Sequence, residues 1–226
     1  NVMERITTYS NSELLELYSY LAANPNKITM MIIGISQSLG SVAIPLITEK
    51  FVQKNLKAAS HLVADNFQLL FIFTIPAIVG TVLLARPLYT VFYGPSEEIA
   101  ITLFIWNLFM ILPLGLYSVI SVVIQSIFEN RHGIYYFLIG MLVKIVLQVP
   151  MMYLFKVYGS FISTIFGLGI MLYLFYKRID KILDIDEQLV VKDIVTISWI
   201  SAVMGLIVWA IEFLLDIVLP VNGYVS

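Results

Sequence analysis

The chain has no cysteine, which excludes disulfides, thiolate metal sites and cysteine nucleophiles. It has only two histidines, His61 and His132, and both read as solvated connector residues rather than as metal ligands. Charge is scarce as well. Charged residues make up 12% of the sequence, against about 25% in a soluble domain, so the composition does not describe a water-exposed surface. Most charges lie in short connectors and the total is -2, which leaves no basic stripe for a nucleic acid. There is no phosphate-cradling glycine loop, zinc motif or nucleophile motif, so nothing supports ATP hydrolysis, a cofactor or a bound metal. The chain opens on Asn1 without a basic segment, an apolar segment and a cleavage site in order, which predicts no signal peptide. Both ends read as cut, as expected for a piece of a longer polytopic protein.

What is present is apolar. Hydrophobic residues are 60% of the chain and mean hydropathy is +0.92, values that place it in a bilayer. The expected fold class is an all-α polytopic membrane protein with six transmembrane helices and amphipathic surface helices. The spans are expected at about 28–47, 66–85, 99–127, 134–155, 160–176 and 194–219. Twenty residues at a rise of about 1.5 Å cover about 30 Å, the thickness of the hydrocarbon. The stretch Pro76 to Gly94 organises the pattern. It is an apolar span carrying Pro76 and Gly80 that ends at Arg86-Pro87 and leaves the membrane through Tyr93-Gly94-Pro95.

The connectors divide by pattern. Residues 1–27 contain the capping box Ser10-Asn11-Ser12-Glu13 ahead of Leu14, Leu17 and Leu21, which predicts a surface helix stopped at Asn24-Pro25-Asn26. Val52, Leu56, Ala59 and Val63 recur at helical spacing across residues 48–65 and predict a second. Ile179, Ile182, Leu183, Leu189 and Val190 suggest a third across 177–193, whereas 86–98 reads as turn-rich and 220–226 as a truncated end. With connectors alternating sides, Lys50, Lys54, Lys57, Arg131, Lys177, Arg178, Lys181 and Lys192 fall on one face of the membrane. Arg5, Lys27, Arg86 and Lys156 fall on the other. The positive-inside rule makes the first set cytoplasmic.

Polar residues within the spans are the site candidates. In the first span Gly34, Gln37, Ser38, Ser41 and Pro45 share a stripe, with Ser36 and Gly40 as a small-xxx-small pair. The stripe serves either close helix packing or a hydrated cavity, with Gln37 its most exposed polar group. Asn107, Met110, Leu114, Ser118, Ser121 and Gln125 form a stripe read as packing against other helices. Lys144 sits at the middle of the fourth span, with Gly140 and Gln148 four residues to either side. A mid-span lysine costs roughly 2.5–3.5 kcal/mol on insertion scales, so it should avoid lipid, in a functional role or in an internal structural pair. In the last span Ser198, Ser201, Gly205, Trp209, Glu212 and Asp216 share a face. Glu212 and Asp216 are coupling candidates, or interfacial carboxylates near the end of the helix.

The order Pro76-x3-Gly80-x6-Pro87-x6-Gly94 resembles the MOP flippase superfamily. So do the small-rich first span ending Ala43-Ile44-Pro45, the lysine-rich segment after it and Tyr158-Gly159-Ser160 at the start of the fifth span. Within that superfamily the chain looks like the polysaccharide-transporter branch, and in it the Gram-positive MurJ-like proteins called YtgP, close to SpoVB. The resemblance implies that the six spans match helices eight to thirteen of about fourteen, most of the second lobe, with the N-terminal lobe of the same protein as a missing partner. It further implies a multi-pass protein of the bacterial cytoplasmic membrane that is not an enzyme. Its cargo would be a polyprenyl-diphosphate-linked cell-wall precursor, lipid II, moved by alternating access, and membrane lipids would surround it. Gln37 and Ser41 are then expected to line the cavity, Lys27 to meet phosphate or sugar near the outer face, and Lys144 and Gln148 to bind substrate. The first span carries no arginine or lysine inside it, which departs from the Gram-negative pattern. Three other readings stand beside this one. They are a flippase for capsule or teichoic-type repeats, a cation-coupled multidrug antiporter of the same superfamily, and a membrane enzyme using a polyprenyl-linked glycan.

Overall fold

Each apolar run closes into a helix, because in hydrocarbon every backbone N–H and C=O must be satisfied within its own segment. The computed structural model describes residues 25–94, 98–185 and 187–218. Along them run α1 (Pro25–Val52), α2 (Leu56–Leu83), α3 (Ala85–Tyr93), α4 (Glu98–Phe109), α5 (Ile111–Ser126), α6 (Asn130–Phe155), α7 (Gly159–Leu183) and α8 (Glu187–Val218). One turn of 3-10 helix, Lys156–Tyr158, joins α6 to α7. No strand occurs among the described residues. The protein is an all-α polytopic membrane protein. α4 and α5 together form one crossing. The apolar stretch Asn130–Leu183 is 54 residues long and folds back at the 3-10 turn, so it supplies two.

The helices outrun the expected spans. α1 and α2 are 28 residues each, about 42 Å, and so extend beyond a hydrocarbon layer of about 30 Å. This length consumes the connectors. Residues 48–65, expected to hold a surface helix, are instead the end of α1, a short turn and the start of α2. Ala59 and Val63 are buried in the bundle rather than laid on the membrane. Residues 177–193 are likewise the end of α7 and the start of α8, with Ile179 and Leu183 buried. His61 and His132 therefore stand in the opening turns of α2 and α6, not in connectors. The short amphipathic helix appears where turns were expected. It is α3, which buries Tyr89 against Phe104 and leaves Val91 and Phe92 exposed. The surface helix expected before Lys27 lies outside the described residues.

Local chemistry sets the helix ends. The Asn55 side chain accepts the Ala58 amide at 3.2 Å and caps α2. The long third run breaks at Met110 because Pro113 has no N–H to give the Phe109 carbonyl. Pro45, Pro76 and Pro150 lie inside α1, α2 and α6 without ending them.

Packing gathers the bundle around α2 and α5. At one end Val63, Phe67 and Leu70 meet Val119, Val123 and Phe175. At the other Ile33, Ile78 and Tyr89 meet Ile101, Phe104 and Ile111. α1 lies on α2 and α5, α7 on α5, α6 on α7, and α8 on α2. The outward surface is apolar, as on α6, where Leu142, Ile145, Val146 and Val149 are all exposed, and a lipid annulus suits it.

Three odd-numbered connectors meet at one end, as alternation demands. Thr48 Oγ1 donates to the Ser126 carbonyl at 3.2 Å, and Ser60 Oγ donates to the Asp184 carbonyl at 3.2 Å. Arg178 Nη2 lies 2.9 Å from Glu129 Oε1, and His132 flanks the same carboxylate. The lysine-rich set is thus drawn to a single face. The Arg178 hydrogen bonds hold the Glu129 carboxyl below the usual carboxylate range, and His132 adds to the effect. A carboxyl whose pKa is lower folded than unfolded stabilises the fold above its unfolded pKa. That stabilisation is lost as pH falls through the folded value. Glu129→Gln is therefore expected to cost about 1 kcal/mol at neutral pH. It should also remove part of the loss of thermal stability between neutral pH and pH below the carboxylate range. Equal acid sensitivity in the two proteins would assign the loss to other groups.

Candidate translocation face

α1 is amphipathic in an unusual sense, because both of its faces are compatible with membrane but only one is covered. Thr29, Ile32, Ile33, Gly40 and Ile47 are buried against the bundle. Gln37, Ser38, Ser41 and Pro45 are exposed, and a Cβ added at Gly34 would meet nothing within 4 Å. The face is held in place at both ends. Thr29 Oγ1 donates to Asn107 Oδ1 at 2.8 Å, with both residues buried, and this ties α1 to α4. Thr48 ties the other end to α5. The helix therefore cannot roll to hide its polar stripe without breaking one of these ties.

The chemistry of the stripe is that of a neutral, hydrogen-bonding wall. Ser38 Oγ donates to the Gly34 carbonyl at 2.9 Å, and Ser41 Oγ donates to the Ser38 carbonyl at 2.8 Å. Their lone pairs still face outward as acceptors. Pro45 cannot donate to the Ser41 carbonyl, so one more acceptor opens on the same stripe. The Gln37 amide makes no hydrogen bond among the described residues, and an exposed amide in hydrocarbon costs several kcal/mol. A face of this kind is stable against water, a polar ligand or another protein segment. Lys27 is exposed about 15 Å before Gln37 along the helix, in its first turn.

Lys144 and Gln148 occupy a second place. α6 and α7 cross where Gly140 and Gly167 bring their backbones together. A Cβ at Gly140 would lie 2.7 Å from the Gly167 carbonyl oxygen, and a Cβ at Gly167 would lie 2.7 Å from that of Gly140. The Lys144 Cβ is part of this crossing, 2.8 Å from a Cβ placed on Gly167, while the residue as a whole is exposed. Gln148 is engaged between the helices. Its Oε1 accepts from Ser163 Oγ at 2.7 Å, and its Nε2 donates to Ser160 Oγ at 3.2 Å. Lys144 thus leaves the crossing with no carboxylate partner among the described residues, and Gln148 is engaged within it. Lys144 and Gln148 do not sit on the α1 stripe, because α6 packs on α7 and α1 on α2, α4 and α5.

The other polar stripes are packed only in part, with Gln125, Ser198 and Trp209 exposed. Asn107, Met110 and Ser118 are buried. On α8, Ser201 is buried with its Oγ on the Ile197 carbonyl, and a Cβ at Gly205 would press Val79 of α2 at 2.9 Å. The side chains of Glu212 and Asp216 lie outside the described residues. Residue type does not separate these stripes from that of α1, and sequence reasoning also missed Ser160 and Ser163. Their signal was the spacing of Gln148 from the turn at 156–158, which sets which residues face each other across the hairpin.

A model of the lipid II flippase MurJ family matches residues 17–220, nearly the whole chain. The chain belongs to the MurJ family. A curated relative, the lipid II flippase MurJ of Bacillus subtilis (strain 168), is 27% identical over 203 residues. That match covers 88% of this chain and 37% of the relative, so the chain spans a little over a third of that MurJ. No solved structure matches the chain.

Proposed function

We propose that this chain is the second-lobe portion of a flippase of the bacterial cytoplasmic membrane, a transporter rather than an enzyme, whose cargo is lipid II. The observation that carries the reading is the uncovered stripe of α1, pinned at both ends, on a chain of the MurJ family. A diphosphate-sugar head group cannot enter hydrocarbon unaided, so the protein must offer it polar groups while the polyprenyl tail stays in lipid. Gln37, Ser41 and the open Ser41 carbonyl offer such groups to sugar hydroxyls. Lys27 supplies a cation at the outer end, and Lys144 supplies one at mid-depth, where a charge is tolerated only beside water or an anion. The partner surface is the remainder of the relative's length, and alternating access arises between lobes. Glu212 and Asp216 remain the proposed coupling carboxylates.

The test uses the whole protein. Gln37→Cys is expected to react with a small, water-soluble thiol reagent in intact cells, and lipid II added to inverted vesicles should slow that reaction. A cysteine that stays unreactive in every state would place α1 against protein or lipid and overturn the assignment. Expression in cells depleted of their own flippase should restore outer-leaflet lipid II. Failure at normal protein level would favour a capsule or teichoic-type cargo.

A further inference from the structure

α7 and α8 are consecutive in sequence but do not pack as a pair. α8 leans on α2, and a groove of about 340 Å³ opens where α7 and α8 part. Its walls include Phe67 and Phe71 of α2, Ile120 of α5, Tyr173 and Tyr176 of α7 and Ile194 of α8, and no polar atom lines it. The groove lies within about two turns of the α7–α8 connector, the end that the positive-inside rule makes cytoplasmic.

The wall changes character along α7. Tyr173, Lys177 and Lys181 follow at four-residue spacing, so the stripe that borders the groove becomes cationic over its last two turns. Lys177 Nζ stands 5.9 Å from the centre of the Tyr173 ring, at the groove's rim. The neighbouring acids with described side chains are Glu129, Asp180 and Asp184. Glu129 is taken by Arg178, and Asp180 Oδ1 accepts the Ile185 amide at 3.2 Å. Asp184 lines a separate cleft beside Lys57 and His61. Among the described residues no carboxylate pairs with Lys177 or Lys181.

We infer that this groove binds an anionic phospholipid of the cytoplasmic leaflet, with one acyl chain in the groove and the phosphate on Lys177 and Lys181. An all-apolar hollow facing lipid suits a hydrocarbon chain, and two ammonium groups without a carboxylate partner among the described residues suit a negative headgroup. A neutral phospholipid would satisfy the hollow but not the lysines. A protein segment would have to bring both an apolar side chain and a carboxylate. The inference rests on the membrane fold and not on the identity of the transported cargo.

The experiment places the whole purified protein in vesicles with phosphatidylglycerol or phosphatidylcholine carrying a diazirine on the acyl chain. Adducts are mapped by mass spectrometry after illumination. Adducts at residues 67–71, 116–120 and 172–176 should favour phosphatidylglycerol by about fivefold or more, from about that factor per lysine. The exposed α6 face at 142–149 should show no preference. Lys177→Gln with Lys181→Gln should bring the groove adducts down to the phosphatidylcholine level. These are exposed positions, so the variants keep the fold. Ile120→Trp should remove the adducts by filling the space. Equal labelling by the two lipids, or labelling no stronger than on α6, would overturn the proposal. So would groove peptides that carry no lipid adduct and crosslink to another segment of the protein.

Discussion

Gly140→Val is expected to force α6 away from α7 and to leave little folded protein in the membrane. The reason is that both sides of the contact are backbone. A Cβ at Gly140 would sit 2.7 Å from the Gly167 carbonyl oxygen and 2.7 Å from the Met171 Cβ, and neither can swing aside as a flexible side-chain end would. Relief requires the helices to part. That would strain the Gln148–Ser160–Ser163 hydrogen bonds one to two turns away and forfeit the close packing that joins membrane helices in the absence of a hydrophobic drive. The cost is about 3 kcal/mol or more, at the upper end of overpacking effects. Gly167→Val should be as damaging. Gly169→Val should be near neutral, because nothing lies within 4 Å of a Cβ there. Monodispersity after detergent extraction and unfolding by denaturing detergent would measure all three. Wild-type stability of the Gly140 and Gly167 variants would show that the crossing is looser than described. A loss shared by Gly169→Val would show that valine itself is at fault.

Lys144→Leu is expected to lower transport by about tenfold to a hundredfold, the worth of one charge-assisted contact of roughly 1.5–3 kcal/mol. Protein in the membrane should hold steady or rise, because a charge near the centre of α6 costs roughly 2.5–3.5 kcal/mol on insertion. The two readouts move in opposite directions, and this separates a role in transport from a role in folding. A lysine kept for an internal structural pair would lose protein level and transport together. Lys144→Arg should retain part of the transport by keeping the charge on a bulkier head. Normal transport in Lys144→Leu would remove the residue from the substrate path and leave the α1 stripe as the candidate polar route among the described residues.

That the chain is a set of apolar helices long enough to cross a membrane was legible in the sequence. Spanning hydrocarbon needs about twenty apolar residues, so composition alone carries that signal. Helix lengths were not legible. The amphipathic pattern of Val52, Leu56, Ala59 and Val63 is the same whether its apolar side meets lipid headgroups or a neighbouring helix. Burial of Ala59 and Val63 by the bundle decided for the second. The candidate site divides in the same way. Small and polar stripes on α1, α5 and α8 are equivalent as residue patterns. Only the tertiary structure shows that Ser118 and Ser201 turn inward while Gln37 and Ser41 stay open, because a stripe's meaning depends on which helix lies across it. Lys144 and Gln148 share one face of α6 by spacing. It took the α7 backbone at Gly167, and Ser160 and Ser163 on the returning helix, to engage the amide and leave the Lys144 residue exposed.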